Sequence, residues 1–192
     1  MVNIKETKDR IKMNRLLEKA VLVSVEAHKD QIRKGDDSPY IAHPFMVALK
    51  LAKYHFSDTV IAAALVHDVL EDTEFSEEKL KEELGEEVLE IVRIVTNDDS
   101  LPWEEKKRRY VESVRAGSEG AKAVALADKI HNLESLLLAH SKQGPELWKR
   151  FNRGKDKKIW FEEEVLKMLK ETWDHPLIEE YERLLNKERE LE

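Results

Sequence analysis

Turn-forming residues are scarce in this chain, and that scarcity constrains its fold more than any other feature. The 192 residues include only six glycines and five prolines, whereas β-sandwiches and β-barrels need many tight turns between short strands. Apolar residues between 9 and 29 instead fall close to one helical face, at Ile11, Leu16, Leu17, Ala20, Val23 and Ala27. No strand pattern of any length appears. The sequence therefore predicts an all-α fold.

Prolines and capping residues divide the chain into predicted helices. Four prolines lie where a helix would begin, because proline lacks the N–H that is unpaired there: Pro44, Pro102, Pro145 and Pro176. Ser57 or Asp58 is a predicted N-cap for a helix that continues through residue 72, and Ser76 for a helix that Gly85 ends. Further helices are expected over about 86–96, 102–115, 120–139, 148–173 and 175–192. The apolar start of the helix over 120–139 predicts a central position in the core.

Composition excludes several classes of protein. The chain has no cysteine, which excludes disulfides, thiolate metal sites and cysteine nucleophiles. No apolar run approaches the roughly 18 residues of a membrane helix, and the N-terminus lacks the apolar segment of a signal peptide, so a cytoplasmic location is expected. The net charge of −7 disfavours nucleic-acid binding. We expect one domain over residues 1–192, with a core over about 9–173 and a charged C-terminal helix over 175–192 that frays.

A cluster of polar residues follows the most apolar predicted helix. Six apolar residues lead directly into His67 and Asp68, and Glu71 and Asp72 follow one helical turn later. Three acids crowded on a buried helix face would repel one another and lose hydration, and a bound metal ion removes this conflict. A hydrogen-bonded core histidine is the simpler explanation for His67 alone. For the four residues together, a functional site is favoured.

Two further groups are ambiguous when each is taken alone. Asp128 follows five consecutive apolar residues, with Asn132 one turn later, and a buried aspartate paired with an arginine explains this as well as a site does. His43 lies at a predicted helix N-terminus, where histidine more often caps a helix than binds a ligand. Arg33 and Lys34 precede it and by themselves form an ordinary solvated pair.

Together these groups supply two imidazoles and two carboxylates, on His43, His67, Asp68 and Asp128. This mixed nitrogen and oxygen set suits Mn²⁺, Fe²⁺ or Zn²⁺ better than Ca²⁺. Four protein ligands leave one or two positions for water, whose pKa a bound ion lowers until the water is a nucleophile near neutral pH. Glu71 and Asp72 are placed to orient or deprotonate that water.

The order of these residues resembles that of the HD-domain metal-dependent phosphohydrolases: His43, then His67-Asp68, then Asp128. Three surrounding segments, AHKDQIRKGDDSPYIAHP, AALVHDVLEDT and ALADKIHNL, are similar to the hydrolase domain of the RelA/SpoT family, and best to the small alarmone hydrolases and their animal SpoT-like relatives. The similarity covers about residues 15–170. It implies a compact all-α bundle around one metal, usually Mn²⁺, and a nucleotide substrate. The implied reaction removes the 3′-pyrophosphate of guanosine tetra- or pentaphosphate.

The resemblance also implies roles for individual residues. It assigns metal binding to His43, His67, Asp68 and Asp128, activation of water to Glu71 and Asp72, and substrate binding to Arg33, Lys34, Lys129 and Asn132. Arg153 and Lys155 match a segment near the distal phosphates, but a solvated charge run over inward-facing aromatic residues is the preferred interpretation there.

Two alternative functions stay open, and a departure from the family pattern bears on the first of them. Ala125 stands where many family members have a lysine, so one charge that steers phosphate is missing. The first alternative is an HD phosphohydrolase of another phosphorylated nucleotide, such as NADPH. The second is a metal-bearing nucleotide sensor without catalytic activity. The sequence does not indicate an oligomeric state.

Overall fold

The computed structural model describes residues 4–33 and 38–192, with side chains from residue 15 onward. These residues form α-helices joined by short connections, and apart from an isolated bridge between Ile32 and Pro39 they contain no β-structure. The predicted all-α fold is confirmed. The elements are α1 (Ile4–Ala27), α2 (Ala42–Lys53), α3 (Asp58–Leu65), α4 (Val69–Asp72), α5 (Glu77–Leu84), α6 (Glu86–Val95), α7 (Trp103–Ala116), α8 (Glu119–Gln143), a 3₁₀-helix (Gly144–Arg150), α9 (Gly154–Thr172) and α10 (Pro176–Arg189).

Capping side chains form several of the helix ends that the sequence predicted. The Ser57 hydroxyl accepts a hydrogen bond from the Val60 N–H at the start of α3, and the Ser76 hydroxyl accepts one from the Lys79 N–H at the start of α5. Gly85 ends α5 with a φ of 89°, a backbone conformation that favours glycine. These hydrogen bonds pair N–H groups that the first turns of α3 and α5 would otherwise leave unsatisfied.

The predicted helix through residue 72 is interrupted, and the interruption involves the candidate site. Helix α3 ends at Leu65 and α4 begins at Val69. The Nδ1 atom of His67 lies 2.8 Å from the Ala64 carbonyl oxygen, which would accept the N–H of Asp68 in a continuous helix. The side chain of His67 therefore replaces a backbone hydrogen bond at the break.

The segment over 148–173 also differs from its prediction as one helix. A 3₁₀-helix occupies Gly144–Arg150, and α9 begins only at Gly154. Gly154 has a φ of 74°, which a continuous right-handed helix cannot contain. The chain therefore changes direction between the two helices.

Helix α8 occupies the centre of the fold, as its apolar sequence predicted. It packs against α2, α3, α6, α7 and α10, and every residue from 121 to 128 is buried. The expectation that the C-terminal helix frays is wrong, because α10 packs on α8 and α9 and places Leu177, Ile178, Tyr181 and Leu185 in the same hydrophobic core. None of the helices in the described part of the chain has the length and apolarity that a membrane crossing requires.

Candidate active site

Three separate parts of the chain bring the predicted metal ligands together. His43 lies in the first turn of α2, His67 and Asp68 lie at the α3–α4 break, and Asp128 lies on α8. One ligand atom each from His43, His67 and Asp128 lies within 4.8 Å of the others. The carboxylate of Asp68 contacts both imidazoles. Its Oδ2 atom lies 3.4 Å from His43 Nε2 and 3.2 Å from His67 Nε2. All four side chains therefore face one point.

The hydrogen bonding of His67 tests whether this cluster suits a cation. Because its Nδ1–H donates to the Ala64 carbonyl, the lone pair is on Nε2, and this buried atom has no hydrogen-bond partner in the described part of the chain. It faces carboxylate oxygens of Asp68 and of Asp128, at 3.2 and 3.7 Å. Burial lowers the pKa of His67, but these two carboxylates outweigh it and raise the pKa to about 9. A lone pair beside two carboxylates requires a proton or a metal ion between them, so the residues fit a divalent cation.

Two residues of the predicted substrate-binding set hold Asp128 in place. Lys129 Nζ lies 2.8 Å from Asp128 Oδ2, and the side-chain amide of Asn132 donates to Asp128 Oδ1 over 2.6 Å. Burial opposes ionisation of Asp128, but Lys129 and the two facing histidines hold its pKa well below the usual range. Lys129 thus helps to keep this carboxylate ionised, Asn132 fixes it by a hydrogen bond, and both side chains also line the cavity beside it.

The basic pair upstream of His43 is only partly within the described residues. Arg33 lines the same cavity and donates from Nη2 to the Asn132 side-chain oxygen over 3.4 Å. Its Nη1 atom is buried without a hydrogen-bond partner. Lys34 lies outside the described residues. Among the described residues, Arg33 therefore has donor capacity that faces neither solvent nor another protein group.

The two acids predicted to activate water have separate partners. The Glu71 carboxylate accepts a hydrogen bond from the backbone N–H of Asn97 at 2.9 Å and is bonded by the Asn97 side-chain amide at 2.9 and 3.1 Å. Lys107 Nζ donates to the Asn97 side-chain oxygen over 3.2 Å. Since an ammonium only donates, Lys107 fixes which way the Asn97 amide faces.

Asp72 instead contacts Tyr40. The Tyr40 hydroxyl lies 2.8 Å from Asp72 Oδ2 and 2.6 Å from Asp68 Oδ2, and its one proton is shared between the two acids. Burial, followed by the charge of Asp68, raises the pKa of Asp72. Burial beside two acids also keeps the pKa of Tyr40 above its usual range, so the phenol remains a donor.

Sequence reasoning assigned no role to Asn97, Lys107, Tyr40 or His131. Tyr40 was within a motif that carried the family resemblance, and His131 was within another, but neither motif alone shows a partner. Asn97 follows α6 in a connecting segment, and it meets Glu71 across 26 residues of sequence. Neither helical periodicity nor residue spacing indicates a contact between distant parts of the chain. The sequence alone therefore did not identify Asn97 or Lys107 as site residues.

A large cavity opens beside the four ligand side chains. Its volume is about 1330 Å³, above the range of roughly 300–1,000 Å³ that is usual for small-molecule sites. Cationic side chains line much of it: Arg33, Lys107, Lys129, Lys142, Arg150, Arg153 and Lys158. Ala125 lies in its wall. Acidic side chains line it as well: Asp68, Glu71, Asp72, Asp128 and Glu162. Cations outnumber these acids, so the cavity suits a ligand with several negative charges.

The segment with Arg153 and Lys155 contributes only one of these two residues to the cavity. Arg153 lines it, whereas Lys155 Nζ lies against the carbonyl oxygens of Arg189 and Leu191 near the end of α10. The aromatic residues of this segment pack inward, as the preferred interpretation expected, since Trp148 and Phe151 pack against Leu136, Ala139 and Leu147. Trp160 packs against the main core.

Comparison with known proteins agrees with this arrangement. The family model for the HD domain matches residues 20–152. The chain belongs to the HD-domain family. Members of this family are expected to bind a divalent metal, and the His43, His67 and Asp128 group in the described residues is consistent with that.

The related sequences include enzymes of different lengths. The chain is 40% identical over 136 residues to the guanosine-3′,5′-bis(diphosphate) 3′-pyrophosphohydrolase MESH1 of Danio rerio, covering 69% of this chain and 73% of that protein. The MESH1 of Xenopus tropicalis is 42% identical over 124 residues, covering 63% of this chain and 69% of that protein. The guanosine-3′,5′-bis(diphosphate) 3′-pyrophosphohydrolase of Haemophilus influenzae is 39% identical over 121 residues, covering 60% of this chain but only 18% of the longer protein.

Solved structures share the fold over most of their length. A metazoan ortholog of SpoT, described as hydrolysing ppGpp, superposes with a TM-score of 0.78 at 29% identity, covering 92% of this chain and 97% of that one. A protein of Listeria monocytogenes superposes with a TM-score of 0.71 at 34% identity, covering 76% of this chain and 97% of that one. This HD-domain fold is therefore all-α, like those neighbours.

Proposed function

We propose that this chain is a metal-dependent hydrolase that removes the 3′-pyrophosphate of guanosine tetra- or pentaphosphate. One observation carries the proposal: His43, His67, Asp68 and Asp128 converge at the edge of a cavity lined by cations. Relatives about 40% identical are named for this reaction, and the structural neighbour is described as hydrolysing ppGpp. The products are GDP or GTP and pyrophosphate.

The metal is proposed to be Mn²⁺, with Zn²⁺ or Fe²⁺ as alternatives that the same donor set accepts. His67 and His43 would provide Nε2 atoms, and Asp68 and Asp128 would provide carboxylate oxygens. When bound, a divalent ion supplies Lewis-acid activation of water and neutralises phosphate charge.

Glu71 is the proposed base for the attacking water. The Asn97 bonds fix its orientation: Oε2 already accepts two hydrogen bonds, whereas Oε1 accepts one and keeps lone-pair capacity for one more donor. Water attacks the phosphorus attached to the ribose 3′ oxygen, its proton passes to Glu71, and the bond from phosphorus to that oxygen breaks. The 3′ oxygen takes up one proton, which balances the proton that Glu71 accepted from the water, and becomes the hydroxyl of GDP or GTP.

Asp72 and the cavity cations have supporting roles. Asp72, held by the Tyr40 hydroxyl, orients the water from the other side of Asp68. Arg33, Lys107 and Lys129 line the cavity and stabilise the negative charge that develops on the transferred phosphorus and the departing oxygen. Arg33 has a buried donor without a partner, which suits it to a phosphate or base of the substrate.

A phosphorus NMR time course tests the proposal. Metal-free protein reloaded with Mn²⁺ should convert guanosine 3′,5′-bis(diphosphate) into GDP and pyrophosphate. Glu71→Gln should slow turnover by about 10²–10⁴-fold, because the base is lost while the metal ligands remain. Glu74→Gln, a matched change at an exposed glutamate three residues away, should leave turnover unchanged. Absence of product from wild-type protein with Mn²⁺ bound would refute the proposed substrate.

Ala125 favours a second candidate, hydrolysis of another phosphorylated nucleotide such as NADPH. This small apolar side chain lies in the cavity wall, so position 125 itself offers no cation to a pyrophosphate. The same NMR assay with NADPH, which would release inorganic phosphate, separates the two substrates. Binding of nucleotides without turnover of any would instead support a metal-bearing sensor.

A further inference from the structure

One histidine beside the candidate metal site has no role in the proposed reaction. His131 lies on α8, three residues beyond Asp128, and its Nδ1 atom is 2.7 Å from Nδ1 of His43. The two rings have centroids 4.9 Å apart and are tilted by 32°. His43 itself is buried, with only 2% of its surface exposed. His131 therefore occupies the side of the His43 ring that is opposite the carboxylates.

The contact between the two nitrogens restricts where the protons lie. A hydrogen bond between two imidazole nitrogens needs one N–H and one lone pair. The Nε2 atom of His43 faces Asp128 Oδ1 at 3.1 Å and Asp68 Oδ2 at 3.4 Å, so it is the atom that would bind the metal. A ligating nitrogen carries no proton, so Nδ1 of His43 must carry it. Nδ1 of His131 then accepts this proton in a hydrogen bond.

The other imidazole of the site is held in a different way. His67 donates from Nδ1 to the Ala64 carbonyl, a backbone group one turn earlier in the same segment. His43 has no such carbonyl for its Nδ1 among the described contacts, and the His131 side chain takes that place. The orientation of one ligand is therefore set by the backbone, whereas that of the other depends on a side chain that can be exchanged.

We propose that His131 is a positioning residue that holds His43 in the tautomer and orientation that metal binding requires. The inference rests on the metal site of the proposed function and not on the identity of the substrate. Groups that orient a ligating histidine in this way typically change metal affinity by about 10–100-fold when they are removed. The predicted effect is therefore on metal affinity, measured without substrate.

Two substitutions at this position separate the loss of the acceptor from the loss of the ring. His131→Leu removes the acceptor, whereas His131→Asn keeps an oxygen at the position of Nδ1. In calorimetric titrations of metal-free protein with Mn²⁺, we expect His131→Leu to bind about 10–100-fold more weakly than wild type. We expect His131→Asn to remain within about threefold of wild type, because its carbonyl oxygen can accept the same proton.

His140→Leu is the matched control. His140 lies on the same helix, but its Nε2 contacts the Glu192 carbonyl oxygen, away from the metal ligands. Its replacement should leave Mn²⁺ affinity unchanged. Wild-type affinity in a folded His131→Leu variant would overturn the proposal, and so would an equal loss in His131→Asn and His131→Leu.

A second measurement does not depend on any variant folding. In wild-type protein loaded with diamagnetic Zn²⁺, a long-range proton–nitrogen NMR spectrum of the histidine rings should show the proton of His43 on Nδ1. A proton on Nε2 would overturn the proposal. Failure of the ppGpp assay while wild type binds metal would refute the proposed substrate and leave the role of His131 intact.

Discussion

The two ends of the cavity differ in how their charged groups are held. At the metal-site end, His43, His67 and Asp128 are exposed by only 2%, 4% and 8%, and each is fixed by a hydrogen bond or ion pair to a neighbouring group. At the far end, three exposed cations line the cavity: Lys142 near the end of α8, Arg150 at the end of the 3₁₀-helix and Arg153 immediately before α9.

Because of this difference, we expect the reaction to depend on the metal-site end and substrate recognition to depend on the far end. Charges act more strongly where water is excluded, and groups held rigidly need not reorganise during the reaction. Exposed cations are screened by solvent and salt and adapt to the ligand. Changes at the metal-site end should therefore reduce kcat or metal binding, whereas changes at the far end should alter KM.

The largest effect is expected from His67→Ala. This variant removes the nitrogen whose lone pair faces both carboxylates, so Asp68 and Asp128 are left without their bridging group. We expect ppGpp turnover to fall by about 10³-fold or more, together with loss of stoichiometric Mn²⁺ binding. Phosphorus NMR and calorimetry measure the two quantities. Retention of metal-dependent turnover would show that His67 is not a ligand.

Asp128→Ala tests how the charges at the metal-site end contribute to the free energy of unfolding. The substitution leaves the Lys129 ammonium, whose side chain is only 12% exposed, without its carboxylate and against the rings of Tyr110 and Phe161. We expect the free energy of unfolding of the metal-free protein to fall by about 3–5 kcal/mol in urea denaturation. The double variant Asp128→Ala/Lys129→Met should recover part of the loss. An equal loss in both variants would mean that the unpaired charge is not the cause.

The sequence was sufficient to predict in outline which side chains meet at the candidate metal site. The apolar run before His67-Asp68 and the buried position of Asp128 follow from the composition of two helices, and the motifs supplied the order of the ligands. Because a ligand set depends on a few residue types at defined places, it can be recognised along the chain. The central position of α8 followed from its apolar sequence in the same way.

The partners of these residues could not be predicted. Apolar periodicity indicates which face of a helix is buried, but it does not indicate which polar group that face meets. Asn97 meets Glu71 across 26 residues and His131 meets His43 across 88. The break after α3 also depends on a contact, between the His67 side chain and the Ala64 carbonyl. The prediction that the C-terminal helix frays was based on its many charged residues and did not take account of the four residues that pack in the core.

Asn97→Ala should have an intermediate effect. The alanine variant keeps the backbone N–H that bonds Glu71 but loses the side-chain amide, so the carboxylate is held at one oxygen only. We expect kcat to fall about tenfold, or about 1.4 kcal/mol, with KM within twofold of wild type. Asn186→Ala, at an exposed asparagine on α10, is the control for the substitution itself. A rise in KM at constant kcat would place Asn97 in substrate binding instead.

The smallest effect is expected at the far end, where two cations that are close in sequence can be replaced separately and compared. Arg153 lines the cavity, whereas Lys155 lies against backbone carbonyls near the end of α10. Arg153→Ala should raise KM for ppGpp about two- to fivefold, because an exposed ion pair contributes less than about 1 kcal/mol. Lys155→Ala removes the same charge from the segment and should leave KM unchanged.

The dependence of KM on salt concentration distinguishes a direct contact between Arg153 and a phosphate from a general electrostatic attraction. If Arg153 contacts a phosphate, KM of wild type should rise with ionic strength, and Arg153→Ala should show a weaker dependence than Lys155→Ala. If both variants raise KM equally, the far end attracts the substrate only through its overall charge. In that case the metal-site end would hold rigid reactive groups, whereas the far end would attract the substrate over a long range and make no specific contact with a phosphate.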